Sequence, residues 1–268
     1  MRLDSSSQQG DLLSSHYSSV LAGPDSSLYA SSIAGGVLRI LHSGERNFLS
    51  SGWPAGASVN RLQMINNDLY ACTDHGLFIF RNETWFATDI AIPCYQLRER
   101  GGFGYAATRY GLWSGAADHW EPYALNETAV YDFLSLPHYL IAAHQNGISF
   151  YDRYQDSWGN LYDEGGVSGL AAFHNHLIGA GNNGELLIGN KRGGLHGYRF
   201  GKLFITALRM NSNGVFVCSD RGLFRLSYFG EQIQLLSVMG GMLVTDVDQQ
   251  EDRIYIATMF DGIQTLNR

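Results

Sequence analysis

The sequence predicts an all-β fold made of seven repeated, four-stranded antiparallel sheets. Three observations carry this. One motif recurs seven times along the 268 residues: LYASSIAGGVL from 28, LYACTDHGL from 69, GYAATRYGL from 104, LIAAHQNGI from 140, LIGAGNNGE from 177, VFVCSDRGL from 215 and IYIATMFDGI from 254. Its glycines, Gly36, Gly76, Gly111, Gly147, Gly184, Gly222 and Gly262, stand 40, 35, 36, 37, 38 and 40 residues apart. A period of that size marks a repeat architecture. Each copy also divides into short β-prone runs separated by turn residues.

The second copy shows the division in order. A run holding Leu62 and Met64 meets a turn at Asn66-Asn67. Residues 69–73 follow, then a link at Asp74-His75-Gly76, a run over 77–80, a turn over 81–83 and a run over 85–87. Asn-Asn at the first turn favours the tight connection of a hairpin. The first run has its own mark. Eight residues before the aromatic or aliphatic anchor of the second run stand Leu62, Leu97, Phe133, Leu170, Leu208 and Val247. Val20 stands nine before Tyr29, so one residue is inserted in that hairpin.

Four-stranded sheets repeated radially make a β-propeller. One propeller domain over residues 1–268 is therefore expected, with its blades near 28, 69, 104, 140, 177, 215 and 254. The last copy ends on its third run, so the segment around Asp11–Leu13 is expected to supply the missing strand and close the ring. Deleting residues 1–14 should then lower thermal stability sharply.

Composition agrees. Hydrophobic residues make up 45% and charged residues 16%, which argues against disorder. The net charge of −7 argues against a nucleic-acid binder. Two of the eighteen cations are lysines (Lys191, Lys202) and sixteen are arginines, a residue suited to fixed, planar pairing. No apolar run reaches the ~20 residues of a membrane span, and no secretory signal is evident at the start. Three cysteines form no metal or disulfide pattern; Cys72 and Cys218 share a register that elsewhere holds Ser or Ala, so they read as small packing residues. A cytoplasmic location is expected. In a secreted form the sequons at Asn82 and Asn126 would matter.

The phrases YACTDHGLFIF, YAATRYGLW and FVCSDRGLF resemble repeats of two-component-regulator propellers. RNETW (81–85), AADHW (116–120) and YQDSW (154–158) resemble degenerate Asp-box turns of sialidase-like propellers. The resemblance implies the fold. It carries over no active site, because the sialidase arginines and Tyr-Glu pair have no counterparts here.

Candidate site residues come from two registers. The links between second and third strands should open at the mouth of the central channel. They present Asp74-His75, Arg109-Tyr110, His144-Gln145-Asn146, Asn182-Asn183, Asp220-Arg221 and Phe260-Asp261. One residue ahead of each inner-strand anchor stand Arg61, Gln96, Asp132 and Asp246, with Ser19, Gly169 and Ala207 in the other copies. His144 breaks its register, where the other copies carry Ser, Thr or Gly, and is the candidate acid or base. Glu185 sits where others are apolar, and a one-residue insertion would hand that place to Leu186. His174 and His176 are expected to alternate along one strand.

No metal or cofactor is predicted. Asp132, Asp246 and Asp261, with Asp248, would together offer oxygens to Ca²⁺, but calcium-loop spacing is absent. The expected function is a binding module for a protein or small-molecule ligand at the polar channel mouth. The alternative is a propeller enzyme with one site there, where Arg61, Arg98, Arg109 or Arg209 would hold an anionic substrate and His144 would act as acid or base. A carbohydrate-binding lectin ranks third, since five Trp over seven repeats do not furnish a repeated sugar pocket.

Overall fold

The computed structural model describes residues 16–190, 194–211, 213–230 and 232–267. Every element among them is a strand, and no helix is long and apolar enough to cross a membrane. Seven antiparallel sheets follow one another in chain order. Six have four strands; blade 2, for example, is Val59–Ile65, Asp68–Thr73, Leu77–Arg81 and Thr84–Ala87. Blade 7 has three described strands, Val244–Gln250, Arg253–Thr258 and Ile263–Asn267. The closing strand expected around residues 11–13 lies outside the described residues.

The predicted registers hold. Leu62 pairs with Ala71, Leu97 with Ala106, Phe133 with Ala142, Leu170 with Gly179, Leu208 with Val217 and Val247 with Ile256. Val20 pairs with Ala30, one residue further on, and Gly23 through Ser27 absorb the insertion. Leu186 takes the apolar place opposite Ala180, and Glu185 is displaced. Asn66 and Asn67 both adopt positive φ (51° and 66°), as a tight hairpin turn requires. His174 does not alternate with His176 along a strand. It occupies the turn between Phe173 and His176 at φ 51°, where a two-residue hairpin link overrides alternation.

The repeated glycine has two causes. Gly76 sits at φ 143°, and a Cβ there would lie 2.2 Å from the Ile90 carbonyl oxygen. Gly147 at φ 148° would place its Cβ 1.9 Å from the Tyr162 oxygen. In blades 2, 3, 4 and 6 the link therefore needs both permissive backbone and close approach of the chain that leaves the outer strand, whereas Gly36 of blade 1 needs only the permissive backbone.

The core is divided among the joints between blades. Each joint has its own apolar cluster, and one of them, Tyr17, Val20, Ala30 and Ala257, joins blade 7 to blade 1. Cys72 and Cys218 are fully buried in such clusters, in keeping with a packing role.

One further set of bonds orients the site. In every blade a backbone N–H of the second-to-third-strand link donates to the residue just before the inner strand. The pairs are Ile33 to His16, Asp74 to Ser58, Arg109 to Pro93, Gln145 to Ala129, Asn182 to Gly166, Asp220 to Phe204 and Met259 to Leu243, at 2.8–3.1 Å. All seven links thus stand on the face where the inner strands begin.

Candidate functional site

Each inner strand carries a β-bulge at the same place. The register slips two residues before the anchor, at Ser18, Asn60, Tyr95, Tyr131, Ser168, Thr206 and Thr245. A bulge inserts an unpaired residue and re-aims its side chain. In four blades that side chain donates to the first inner-strand carbonyl of the next blade: Ser18 Oγ to Val59 (2.9 Å), Asn60 Nδ2 to Cys94 (2.7 Å), Thr206 Oγ1 to Val244 (2.8 Å) and Thr245 Oγ1 to Tyr17 (2.7 Å). Tyr95 and Tyr131 instead meet edge to face, with ring centroids 5.1 Å apart.

The next residue along, one before the anchor, staples blades together. Asp246 Oδ2 accepts from Ser19 Oγ (2.6 Å) and Val20 N (3.1 Å) of blade 1, while Oδ1 accepts from Val247 N (2.9 Å). Asp132 repeats the pattern, with Oδ1 accepting from Phe133 N (2.8 Å) and Oδ2 from Leu170 N of blade 5 (2.9 Å). Ser19 Oγ accepts from Leu62 N of blade 2 (3.1 Å). Gln96 Oε1 accepts from Leu97 N (3.0 Å), and its Nε2 faces Asp132 Oδ1 (3.4 Å). These positions are buried because they bridge backbone N–H groups that a blade alone leaves unpaired.

Arginines complete the staples. Arg61 Nη1 of blade 2 and Arg209 Nε of blade 6 both donate to Asp246 Oδ1, at 2.6 and 2.5 Å. Arg98 Nη2 donates to Asp132 Oδ1 at 3.0 Å. Asp248 Oδ1 accepts from Gln249 N and Oδ2 from Ala22 N of blade 1. Burial pushes the Asp246 carboxyl up, while Arg61 and the bonds from Ser19, Val20 and Val247 pull it down. Burial also raises the Asp248 carboxyl. Both oxygens of Asp132 and of Asp246 are committed to N–H or O–H donors.

In front of these staples lies a cavity of about 320 Å³ at the channel mouth. Blade 2 lines it with Asn60 and Arg61, blade 3 with Tyr95 and Gln96, and blade 4 with Tyr131 and Asp132. Ser168 of blade 5 and Thr206, Ala207 and Arg209 of blade 6 complete the wall. Burial, with Tyr131 next to it, pushes the Tyr95 phenol up, so it stays a neutral hydroxyl.

Of the candidates from the sequence, this cavity unites Arg61, Gln96, Asp132 and Arg209. Asp246 sits behind it at 0% exposure. The link residues form an outer rim. Asp74 Oδ1 and Asp220 Oδ1 accept from Ser58 N and Phe204 N, both at 2.8 Å, and so fasten their links to the inner strands. His75, Tyr110 and Arg221 donate backbone N–H groups to the Thr or Ser that ends the second strand. The Arg109 guanidinium lies over the Tyr110 ring at 6.0 Å, and Gln145 is exposed. Asp261 borders a groove between blades 7 and 1.

His144 occupies the Thr register and does the Thr's work. Its Nδ1 accepts from Asn146 N at 3.2 Å, as Thr73 Oγ1 accepts from His75 N at 3.1 Å. That leaves Nε2 with the proton, which it donates to Ser149 Oγ (2.9 Å); Ser149 in turn donates to Asn160 Oδ1 (3.0 Å). The ring points along its own blade toward the outer strands, and burial holds its pKa below the usual 6.5. It does not line the channel cavity.

Sequence reasoning missed Asn60, Tyr95, Tyr131, Ser168 and Thr206. Strict alternation puts a residue two before the anchor on the anchor's own face, and the bulge breaks that alternation. The available signal was a polar or aromatic residue at this register in all seven copies.

Fold and cavity together define a class: a seven-bladed β-propeller with one asymmetric polar cavity at the mouth of its channel. Solved structures share the fold. The extracellular domain of the one-component system BT4673 from B. thetaiotaomicron superposes with TM-score 0.75 at 15% identity, covering 94% of this chain and 38% of that one. Virginiamycin B lyase from Staphylococcus aureus, in an inactive variant with quinupristin, gives TM-score 0.73 at 10% identity and covers 100% of this chain and 98% of that one. The WD40 propeller domain of Doa1 gives 0.69 at 13%, covering 94% and 92%. No family model and no curated protein matches the chain.

Proposed function

We propose that this propeller is a binding module whose ligand is a small molecule held in the channel cavity. One observation carries the reading. At the channel mouth, five of the seven blades line one cavity with an unrepeated set of side chains. A site repeated per blade would serve multivalent binding, whereas one unlike set of convergent polar groups serves one dedicated ligand. The similar structures include the extracellular domain of a one-component system, a WD40 domain and a lyase, so the shared fold is compatible with either binding or chemistry. The cavity's own chemistry favours binding. Asp132 is committed to Arg98 and two backbone amides, the Tyr95 phenol stays protonated, and His144 faces elsewhere. Three buried free thiols support a reducing compartment for the described blades.

The test is a thermal-shift screen of a small-molecule library against wild type and Tyr131→Ala. The reading expects hits that stabilise wild type and lose their effect in the variant. Hits that stabilise both equally would place the site elsewhere.

A further inference from the structure

We infer that the cavity recognises an oxyanion, the carboxylate or phosphate head of a small molecule, through the guanidiniums of Arg61 and Arg209. The inference rests on the cavity being the ligand site and adds the chemical class of the ligand.

Arg61 and Arg209 reach in from blades 2 and 6, and both end on the same oxygen, Asp246 Oδ1. That oxygen also accepts from Val247 N, and its partner oxygen accepts from Ser19 and Val20. The carboxylate is therefore saturated, while the guanidiniums are not. Each guanidinium carries five N–H donors. Arg61 spends Nη1 on Asp246 and keeps its Nε buried without solvent access, which leaves Nη2 for a ligand. Arg209 spends Nε on Asp246 and Nη1 on the Leu208 carbonyl (2.9 Å), which leaves Nη2.

Position matters as much as number. Arg61 and Arg209 line the cavity, with side chains 13% and 17% exposed, whereas Asp246 is fully buried behind them. Asp248 spends its oxygens on Gln249 N and Ala22 N at the joint with blade 1. The one carboxylate in the wall, Asp132, has both oxygens occupied. What the cavity offers is thus two cations with donors to spare, flanked by hydroxyls. Desolvated guanidinium donors form strong, charge-assisted bonds to carboxylate and phosphate. A neutral ligand would leave those donors unpaired in a sheltered site, which disfavours it.

The experiment uses charge-matched probes on the full chain: benzoate against benzamide, and inorganic phosphate, followed by saturation-transfer NMR and calorimetry at low salt. Two variants accompany wild type. Ser168→Phe fills the cavity without replacing any charged group. Arg61→Lys with Arg209→Lys keeps the charge at Asp246 and removes the planar donor set, so the blade joint survives. The inference expects benzoate or phosphate to bind at least about tenfold more tightly than benzamide, a difference of about 1.4 kcal/mol. That binding should vanish in Ser168→Phe and weaken about tenfold in the double lysine variant. Stronger response to phosphate than to benzoate would assign a phosphate head, and the reverse a carboxylate. Equal binding of benzoate and benzamide, both lost in Ser168→Phe, would keep the cavity as the site and overturn the anionic class. Binding untouched by Ser168→Phe, or no binding of any probe, would overturn the site along with it.

Discussion

The joint between blades 1 and 2 and the joint between blades 7 and 1 are held in different ways. The first is mostly apolar. Leu21, Tyr29, Val37, Leu62, Phe78 and Trp85 bury one another there, and Trp53 meets Trp85 edge to face at 5.0 Å. Among the described residues, the second buries four apolar side chains, Tyr17, Val20, Ala30 and Ala257. It compensates with a polar zipper along the two inner strands. Thr245 donates to the Tyr17 carbonyl, Asp246 accepts from Ser19 and Val20, Asp248 accepts from Ala22, and Gln250 Nε2 donates to the Gly23 carbonyl (3.0 Å). Apolar packing tolerates sliding and repacking. A ladder of alternating donors and acceptors satisfies one alignment only, because every other alignment leaves buried polar groups unpaired. At the joint of blades 7 and 1 the register is written along the length of both inner strands in hydrogen bonds.

The largest expected effect breaks that zipper. Asp246→Ala orphans Arg61, Arg209 and the Val20 amide at once, and losing one side of a buried ion pair costs about 3–5 kcal/mol. A calorimetric melt should fall by about 10 °C; a shift under about 2 °C would show the apolar residues hold the joint unaided. Trp85→Phe, at the apolar joint, removes buried volume and the bond from Nε1 to the Leu49 carbonyl (2.8 Å). It should cost about 1–3 kcal/mol. Asp248→Asn retains an acceptor for one amide and should cost about 1 kcal/mol, read from urea midpoints.

His144 sharpens the comparison through pH. Its folded pKa lies below 6.5, so the unfolded chain binds the proton more readily. Stability should therefore fall as pH drops through about 6.5 and below. Protonation also removes the Nδ1 lone pair that holds Asn146 N. The raised carboxyls of Asp246 and Asp248 act in the opposite sense in acid, where the folded state keeps protons longer. The difference between wild type and His144→Thr isolates the imidazole: the two melts should agree near pH 8 and separate near pH 5.5, with the Thr variant the more stable. Parallel curves would contradict the cap assignment.

The seven repeats were legible because glycine, anchor and small residues answer to local geometry that recurs in every blade. Even the single-residue insertions at Gly23–Ser27 and at Glu185 showed as register breaks. The cavity was half legible. Arg209 was named as a candidate anion holder, and Arg61, Gln96 and Asp132 stood out as unlike residues at a constant register, but that register also serves as the staple between blades. Tyr95, Tyr131 and Thr206 stayed hidden because a bulge leaves no mark in a pattern of strict alternation. His144 was visible as an exception, yet nothing in sequence says which way a ring turns. It turned toward Ser149 and Asn160, away from the channel.

In the inner strand of blade 4 two adjacent residues divide the work: the bulged Tyr131 shapes the cavity, and its neighbour Asp132 bonds the next blade. Tyr131 and Asp132 put this to the test side by side. Thermal unfolding of Tyr131→Ser and Asp132→Ala, measured together, is the direct measurement. Asp132→Ala should lose about 3 kcal/mol or more through the orphaned Arg98 and Leu170 amide, while Tyr131→Ser should stay within about 1 kcal/mol of wild type, the worth of one aromatic pair. Equal losses, or a larger loss from Tyr131→Ser, would contradict the division of labour.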